Sequence, residues 1–322
     1  MRTLKEIASL CNVSESTVSL ALNKPYKISE PVRTKIYTLI QKKGYSKLTN
    51  KIQNFGILVS NLSQMFSNEF YGEVIEGILG AATEANLQTR FMTDLDMDYY
   101  SIHNLQGFIF LGKQPDEYYA KLIKYRVPLV ACGSPPNEDI PVTSVYIERE
   151  EVGGMLANYL VSCGHKNIAV LLGDHPNEYI NTEFLRGIIK NNPYFNENMV
   201  FVADYDNYDT VEIVVNQIMS HSPHITAVIC GNDLLAYYFY RFVERYGLSI
   251  PADISITGFD AIKFPRFVNN PNPILTTAAG DKRLLGKKAL ELLKDRYLDL
   301  LGCQQYVKIP SSLVIGGSVG RV

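Results

Sequence analysis

Residues Thr3–Asn23 read TLKEIASLCNVSESTVSLALN, and Lys27–Tyr45 continue as KISEPVRTKIYTLIQKKGY. Thr3 with Glu6 has the spacing of a capping box, in which hydroxyl and carboxylate satisfy each other's first-turn amides. Leu4, Ile7, Ala8 and Cys11 then share one helical face. Asn12 and Val13 form a short turn. Ser14 caps a second helix to about Leu22, whose Val18, Ala21 and Leu22 pack back on the first. Ser29 caps a third, with Pro31 in the first turn, where a missing N–H costs nothing. Its inner face is Val32, Ile36, Leu39 and Ile40, and Gly44 ends it. Two short helices joined by a tight turn and braced by a third make a helix-turn-helix. The second helix enters the major groove with its N-terminal side chains toward the bases. Here these are Glu15, Ser16, Ser19 and Leu20. Ser14, Thr17, Asn23 and Lys27 are short polar or cationic groups suited to phosphates, which fix position rather than sequence.

Charge supports this reading. The 322-residue chain has a formal net charge of -2. Residues 1–54 carry 10 Lys and Arg against 3 Asp and Glu, and the rest carries 21 against 30. A basic module on an acidic body has the electrostatic footprint of a polyanion binder. The longest apolar runs are only strand-length, and the first residues lack a secretory apolar stretch, so no membrane role and a cytoplasmic location are expected. The cysteines Cys11, Cys132, Cys163, Cys230 and Cys303 are scattered. Odd and unclustered, they argue against a disulfide framework or a zinc site. No cofactor is expected.

From Phe55 onward, short apolar strands alternate with amphipathic segments: FGILVS, GFIFLG, VPLVACG, NIAVLLG, TAVICG and ISITGF. This predicts parallel sheets with helices on both faces, where ligands bind beyond the carboxyl ends of the strands. Two such units in tandem suggest a bilobed clamp.

The N-terminal stretch, with its VSxxTVSxxLN pattern, resembles the DNA-binding headpiece of the lactose/galactose repressor (LacI/GalR) family. The likeness continues through SNEFYGEVIEGI (67–78), LVSCGHKNIAVLLG (160–173), the block from Cys230 to Asp260, LTTAAGDKRLLGKKALELL (275–293) and IPSSLVIGGSVG (309–320). It implies a helix-turn-helix domain over 1–46, a hinge over 47–54 and an effector-binding, dimerising domain over 55–322. That domain would be an α/β periplasmic-binding-protein-like pair of doubly wound lobes. One lobe would span about 55–160 plus 280–305, the other about 161–279 plus 306–322. The resemblance further implies a homodimer on double-stranded operator DNA, controlled by a sugar or sugar phosphate held between the lobes. Effector contacts would come from Ser67, Asn68, Phe70, Tyr205, Asn232 and Asp260. Asn232 also has the position of a cap for the helix starting at Asp233.

Three departures stand out. Leu20 replaces the Arg that commonly follows TVS; it offers a thymine methyl an apolar partner instead of gripping guanine. The link YSKLTNKIQNF (45–55) is short and lacks the ARxL signature, leaving Leu48 or Ile52 as the minor-groove wedge of a hinge, unless the segment is a plain tether. Phe184 stands where sugar- and purine-binding members carry Arg, while Arg149 (or Glu148, with a slip of one residue) stands where the family has Asp. Either the effector carries an aromatic or apolar part against Phe184 and an anion near Arg149, or the cleft has lost its ligand.

The rival reading is an enzyme using Cys163 near His165, or Cys132 near Asp139. Closeness in sequence alone does not orient a base on a nucleophile. Phosphate-cradling GxxxxGK[ST] or GxGxxG loops are missing too. A solute-binding protein would share the lobes but not the basic headpiece.

Overall fold

The structure, a computed structural model, describes residues 4–24, 27–43, 54–59, 69–93, 105–112, 114–124, 127–136, 139–174, 178–204, 207–221, 224–262, 275–297 and 303–322. Three N-terminal helices, α1 (Leu4–Cys11), α2 (Glu15–Asn23) and α3 (Glu30–Lys43), form the headpiece. Ile7, Ala8, Cys11, Val18, Ala21 and Ile36 build its buried core, with Leu4, Val13, Leu22, Ile28, Val32 and Leu39 packed around them. All but Val13 and Ile28 are positions that the helical period selects, and the side chain of Ile40, also expected on the inner face of α3, lies outside the described residues. Asn12 makes the turn in the left-handed region (φ 54°), a conformation that asparagine tolerates better than most residues. The Val13 amide then bonds to the Ala8 carbonyl at 3.0 Å. The expected cap residue Thr3 and the stop at Gly44 lie outside the described residues.

The chain divides into two compact units, Met1–Tyr146 with Lys282–Ile309, and Ile147–Asp281 with Pro310–Val322. The first holds β1 (Asn54–Leu58), α4 (Glu69–Glu84), β2 (Gln88–Met92), β3 (Phe108–Leu111), α5 (Asp116–Lys124), β4 (Leu129–Cys132), β5 (Thr143–Ile147), α10 (Lys282–Tyr297) and β11 (Tyr306–Ile309). Its sheet has the order β11-β5-β4-β3-β1-β2. The second holds α6 (Arg149–Ser162), β6 (Ile168–Gly173), α7 (Glu178–Asn191), β7 (Val200–Ala203), α8 (Tyr208–Met219), β8 (Ala227–Cys230), α9 (Asp233–Arg245), β9 (Ser255–Phe259), β10 (Thr276–Gly280) and β12 (Ser311–Val314). Its order is β12-β10-β9-β8-β6-β7, the same arrangement repeated. Strands β1 to β4 pair in parallel, as do β6 to β10, and β12 closes its edge antiparallel to β10.

The expected lobe limits therefore shift. The first crossing falls before α6 rather than after it, and the last falls between β11 and β12. The cause is the packing of α6 on α7. A Cβ at Gly153 would strike the Phe184 carbonyl, and one at Gly187 would strike the Glu150 carbonyl. Glycines on both helices let the backbones touch, which commits α6 to the second unit. The expected hinge segment 47–54, with Leu48 and Ile52, lies outside the described residues except for Asn54, which already begins β1.

Each sheet reverses its winding once, between β1 and β3 and again between β6 and β8. Crevices beyond the carboxyl ends of strands at such reversals are where open α/β sheets place ligands.

Candidate DNA interface and effector site

Helix α2 presents a polar face. The Ser14 hydroxyl accepts from the Thr17 amide at 3.1 Å, and it also shares hydrogen bonds with the Ser16 and Thr17 hydroxyls at 2.7 and 2.8 Å. Ser14 is thus the cap that the sequence predicts. Glu15 and Ser16 are exposed, Thr17 and Ser19 half-buried, and Leu20 keeps 39% of its surface open although Val18 and Ala21 on the same helix are fully buried. An apolar side chain held out of an adjacent core is placed to meet something other than the core. Asn23 turns inward: its Nδ2 donates to the Ser19 carbonyl at 2.7 Å. That bond ends the helix and commits much of the side chain expected on a phosphate. Lys27 is exposed just beyond.

In the second unit, Asn232 and Asp260 both follow strands at the carboxyl edge of the sheet. Asn232 Oδ1 accepts from the Leu235 amide at 2.8 Å and caps α9, so the capping role holds. The cap uses the side-chain oxygen and not the amide N–H donors. Asp260 takes φ 108° and Ala261 follows at φ 47°. Two successive side-chain-bearing residues in the left-handed half of the map are costly, and such strain concentrates at functional sites. Asp233 holds the distortion in place. Buried to 1% exposure, it accepts the Thr277 hydroxyl on Oδ1 and the Ile262 amide on Oδ2, each at 2.7 Å. The Ala261 amide leans on Thr277 Oγ1 at 3.4 Å. Sequence reasoning passed over Asp233 and Thr277. The acid at the first position of a helix was a usable signal; its distant partner was not.

The α6–α7 contact brings the two exchanged positions together. Phe184 on α7 is fully buried and stacks on Phe259 (centroids 6.3 Å apart, planes 16°). The Arg149 guanidinium, at the start of α6, lies over the same Phe259 ring at 5.1 Å. Where the family has a cation on α7, this chain has an aromatic pair with a cation arriving from α6. Glu148 is the N-cap of α6 but makes no side-chain capping bond. Asn181 Nδ2 donates to the Gly173 carbonyl at 2.9 Å, fixing α7 to the end of β6.

In the first unit, Phe70 stands in the first turn of α4 with its ring edge-on to Tyr71 at 5.3 Å. The Tyr71 hydroxyl lies so close to Gly112 (φ 73°), just past β3, that a Cβ there would sit 2.8 Å from it. Tyr71 is thereby held at the carboxyl edge of its sheet, a position not expected from the sequence. Ser67, Asn68 and Tyr205 lie outside the described residues.

The comparisons with known proteins agree with this layout. The model described as "Bacterial regulatory proteins, lacI family" matches residues 3–47, and the "Periplasmic binding protein-like domain" matches residues 157–319. The chain joins a lacI-family DNA-binding domain to a periplasmic binding protein-like domain. It is a DNA-binding transcriptional regulator with an effector-binding domain. A curated relative, the HTH-type transcriptional repressor PurR of Photobacterium profundum, is 27% identical over 347 residues, covering 99% of each chain. Among solved structures, the transcriptional regulator CelR in its cellobiose complex aligns with TM-score 0.70 and 21% identity over 99% of this chain and 100% of its own. The lac repressor dimer bound to operator and the anti-inducer ONPF aligns with TM-score 0.68 and 21% identity, covering 99% of each chain.

In this chain the cysteine–histidine reading fails on geometry. Cys163 is the C-cap of α6, and the His165 ring is engaged elsewhere. Its Nδ1 lies 2.9 Å from Thr226 Oγ1 and its Nε2 3.2 Å from the Gly320 carbonyl. Burial holds the Cys132 and Cys230 thiols well above the usual range, so neither is a ready thiolate. Among the described residues no group of His, Cys, Asp and Glu forms a metal cluster, and no helix is long and apolar enough to cross a membrane.

Proposed function

We propose that the chain works in the cytoplasm as a homodimer, without catalytic activity. One α2 helix would read each half of a two-fold operator, since protein symmetry is mirrored in the site. Glu15, Ser16, Ser19 and Leu20 face the bases. Ser14, Thr17, Asn23 and Lys27 lie toward the phosphates, with Asn23 contributing least because its amide is committed within the helix. Operator occupancy is set by a small molecule bound beyond the strand ends, with Asn232 and Asp260 as polar contacts and Ser67, Asn68, Phe70 and Tyr205 completing the set.

The observation that carries the effector reading is the strained backbone at Asp260, held by the buried Asp233–Thr277 pair. The exchange at Phe184 and Arg149 supports an acidic sugar derivative such as a sugar phosphate. A guanidinium stacked on Phe259 offers bidentate donors to a phosphate or carboxylate. The effector complex of CelR with cellobiose supports the carbohydrate part of the reading.

Thermal unfolding against a panel of sugars, sugar phosphates and nucleobases tests it, because a ligand bound only by the folded protein raises the melting point. Asp260→Ala should abolish the shift, and Arg149→Ala should abolish it for phosphorylated ligands while sparing plain ones. A shift that survives both changes would place the ligand elsewhere.

A further inference from the structure

The C-terminal end of a helix leaves carbonyls without intrahelical partners. At the end of α2, the Ser19 carbonyl takes the Asn23 amide and the Leu20 carbonyl takes the Lys24 N–H at 2.7 Å. The Leu22 carbonyl is answered from 275 residues away: the Tyr297 hydroxyl donates to it at 2.9 Å. Tyr297 is the last residue of α10, and only 1% of it is exposed. Leu285, Ala289, Leu290 and Leu293 bury the same helix in the first unit's core, so the phenol projects from a fixed support.

The other side of Tyr297 meets the start of the effector domain. Its ring stands edge-to-face on Phe55 of β1, with centroids 5.8 Å apart and planes at 86°. Asn54, one residue earlier, is held at both backbone groups by Gln106: the Asn54 amide donates to Oε1 at 2.6 Å, and the Asn54 carbonyl accepts the Gln106 amide at 2.9 Å. One buried tyrosine thus touches the last turn of α2 and the first strand after the linker.

We propose that Tyr297 is a positioning residue for DNA reading, a clasp that fixes the exit of α2 to the effector domain before DNA arrives. Preorganisation of this kind raises affinity by reducing what binding must order. It gives effector-linked movement of α10 a direct route to the headpiece. The proposal rests on α2 being the DNA-reading helix.

The test compares full-length wild type with Tyr297→Phe, which removes only the hydroxyl. DNA is a duplex selected by the wild-type protein from a random-sequence library. Headpiece backbone amide resonances should be broad in the free wild type, tumbling with the whole molecule, and sharpen in Y297F. Affinity for the selected duplex should fall about fivefold, what one ordinary hydrogen bond is worth. The slope of affinity against salt should stay the same because no phosphate contact is lost. The melting point should move by no more than about 2–4 °C for the same bond. Sharp headpiece resonances already present in the wild type, or widths and affinity unchanged by Y297F, would overturn the clasp. So would a loss of affinity matched in size by Phe55→Leu without any sharpening. Wild-type protein that selects no duplex would instead strike at the DNA-reading role of α2, while the resonance widths still judge the clasp.

Discussion

The Thr277 hydroxyl donates to Asp233 Oδ1 across 44 residues of sequence, and this bond stands beneath the strained turn at Asp260. Both partners are buried, and the second Asp233 oxygen is taken by the Ile262 amide. Asp233→Ala strands two donors and should cost about 2–4 kcal/mol; Thr277→Val, which removes one hydroxyl and leaves the acid, should cost about 1–2 kcal/mol. Urea unfolding of both variants and of the double variant checks this. If the two losses simply add, the pair is not coupled.

The glycine contact between α6 and α7 predicts an asymmetry. Gly187→Ala pushes a methyl into the Glu150 carbonyl and should destabilise by about 1–3 kcal/mol. Gly80→Ala, on α4, meets nothing within 4 Å and should stabilise by about 0.4–1 kcal/mol. Equal effects in denaturant titrations would deny the close approach.

His165 predicts a pH dependence. Desolvation lowers its folded-state pKa below the ordinary 6.5, against a smaller opposing effect of the Gly320 carbonyl. Above pH 6.5 the ring is neutral folded or unfolded, so it contributes no slope. As pH falls below that value the unfolded chain takes up a proton that the folded ring resists, and stability is lost. The wild type should therefore lose more stability than His165→Gln between pH 6.5 and about 5. Parallel stability–pH curves for the two proteins would remove His165 from the account.

On the DNA side, Leu20→Arg should shift base preference toward guanine at one position of the half-site by about 1–3 kcal/mol. Lys27→Ala should weaken all sequences alike and reduce the salt slope by about 1. A library selection read out at two salt concentrations separates the two behaviours.

The headpiece was legible because its information is local. Ile7, Ala8, Cys11, Val18 and Ala21 announce their core by spacing, and Ser14 announces its cap by type. The strands were legible as apolar runs, because strands buried on both faces need no alternation. The edge strand β2 has no such run; its residues alternate between exposed and covered, with Arg90 among them. What stayed hidden was non-local. Nothing within Arg149–Ser162 says which sheet the helix covers, since that depends on Phe184 and Gly187 on a later helix. Phe184 reads as a lost cation until Phe259 appears beneath it with Arg149 on the same ring. The brace of Asp233 needs Thr277, and the Leu22 carbonyl needs Tyr297.

The glycines that seat α6 on α7 are different residues from Arg149 and Phe184, although both sets ride on the same two helices. Backbone contact settles how the helices lie, and the side chains at their ends are spared that duty. On the proposed effector site, trading a cation on one helix for a cation on the other would change the molecule sensed, while the glycine contact that seats the two helices stays as it is.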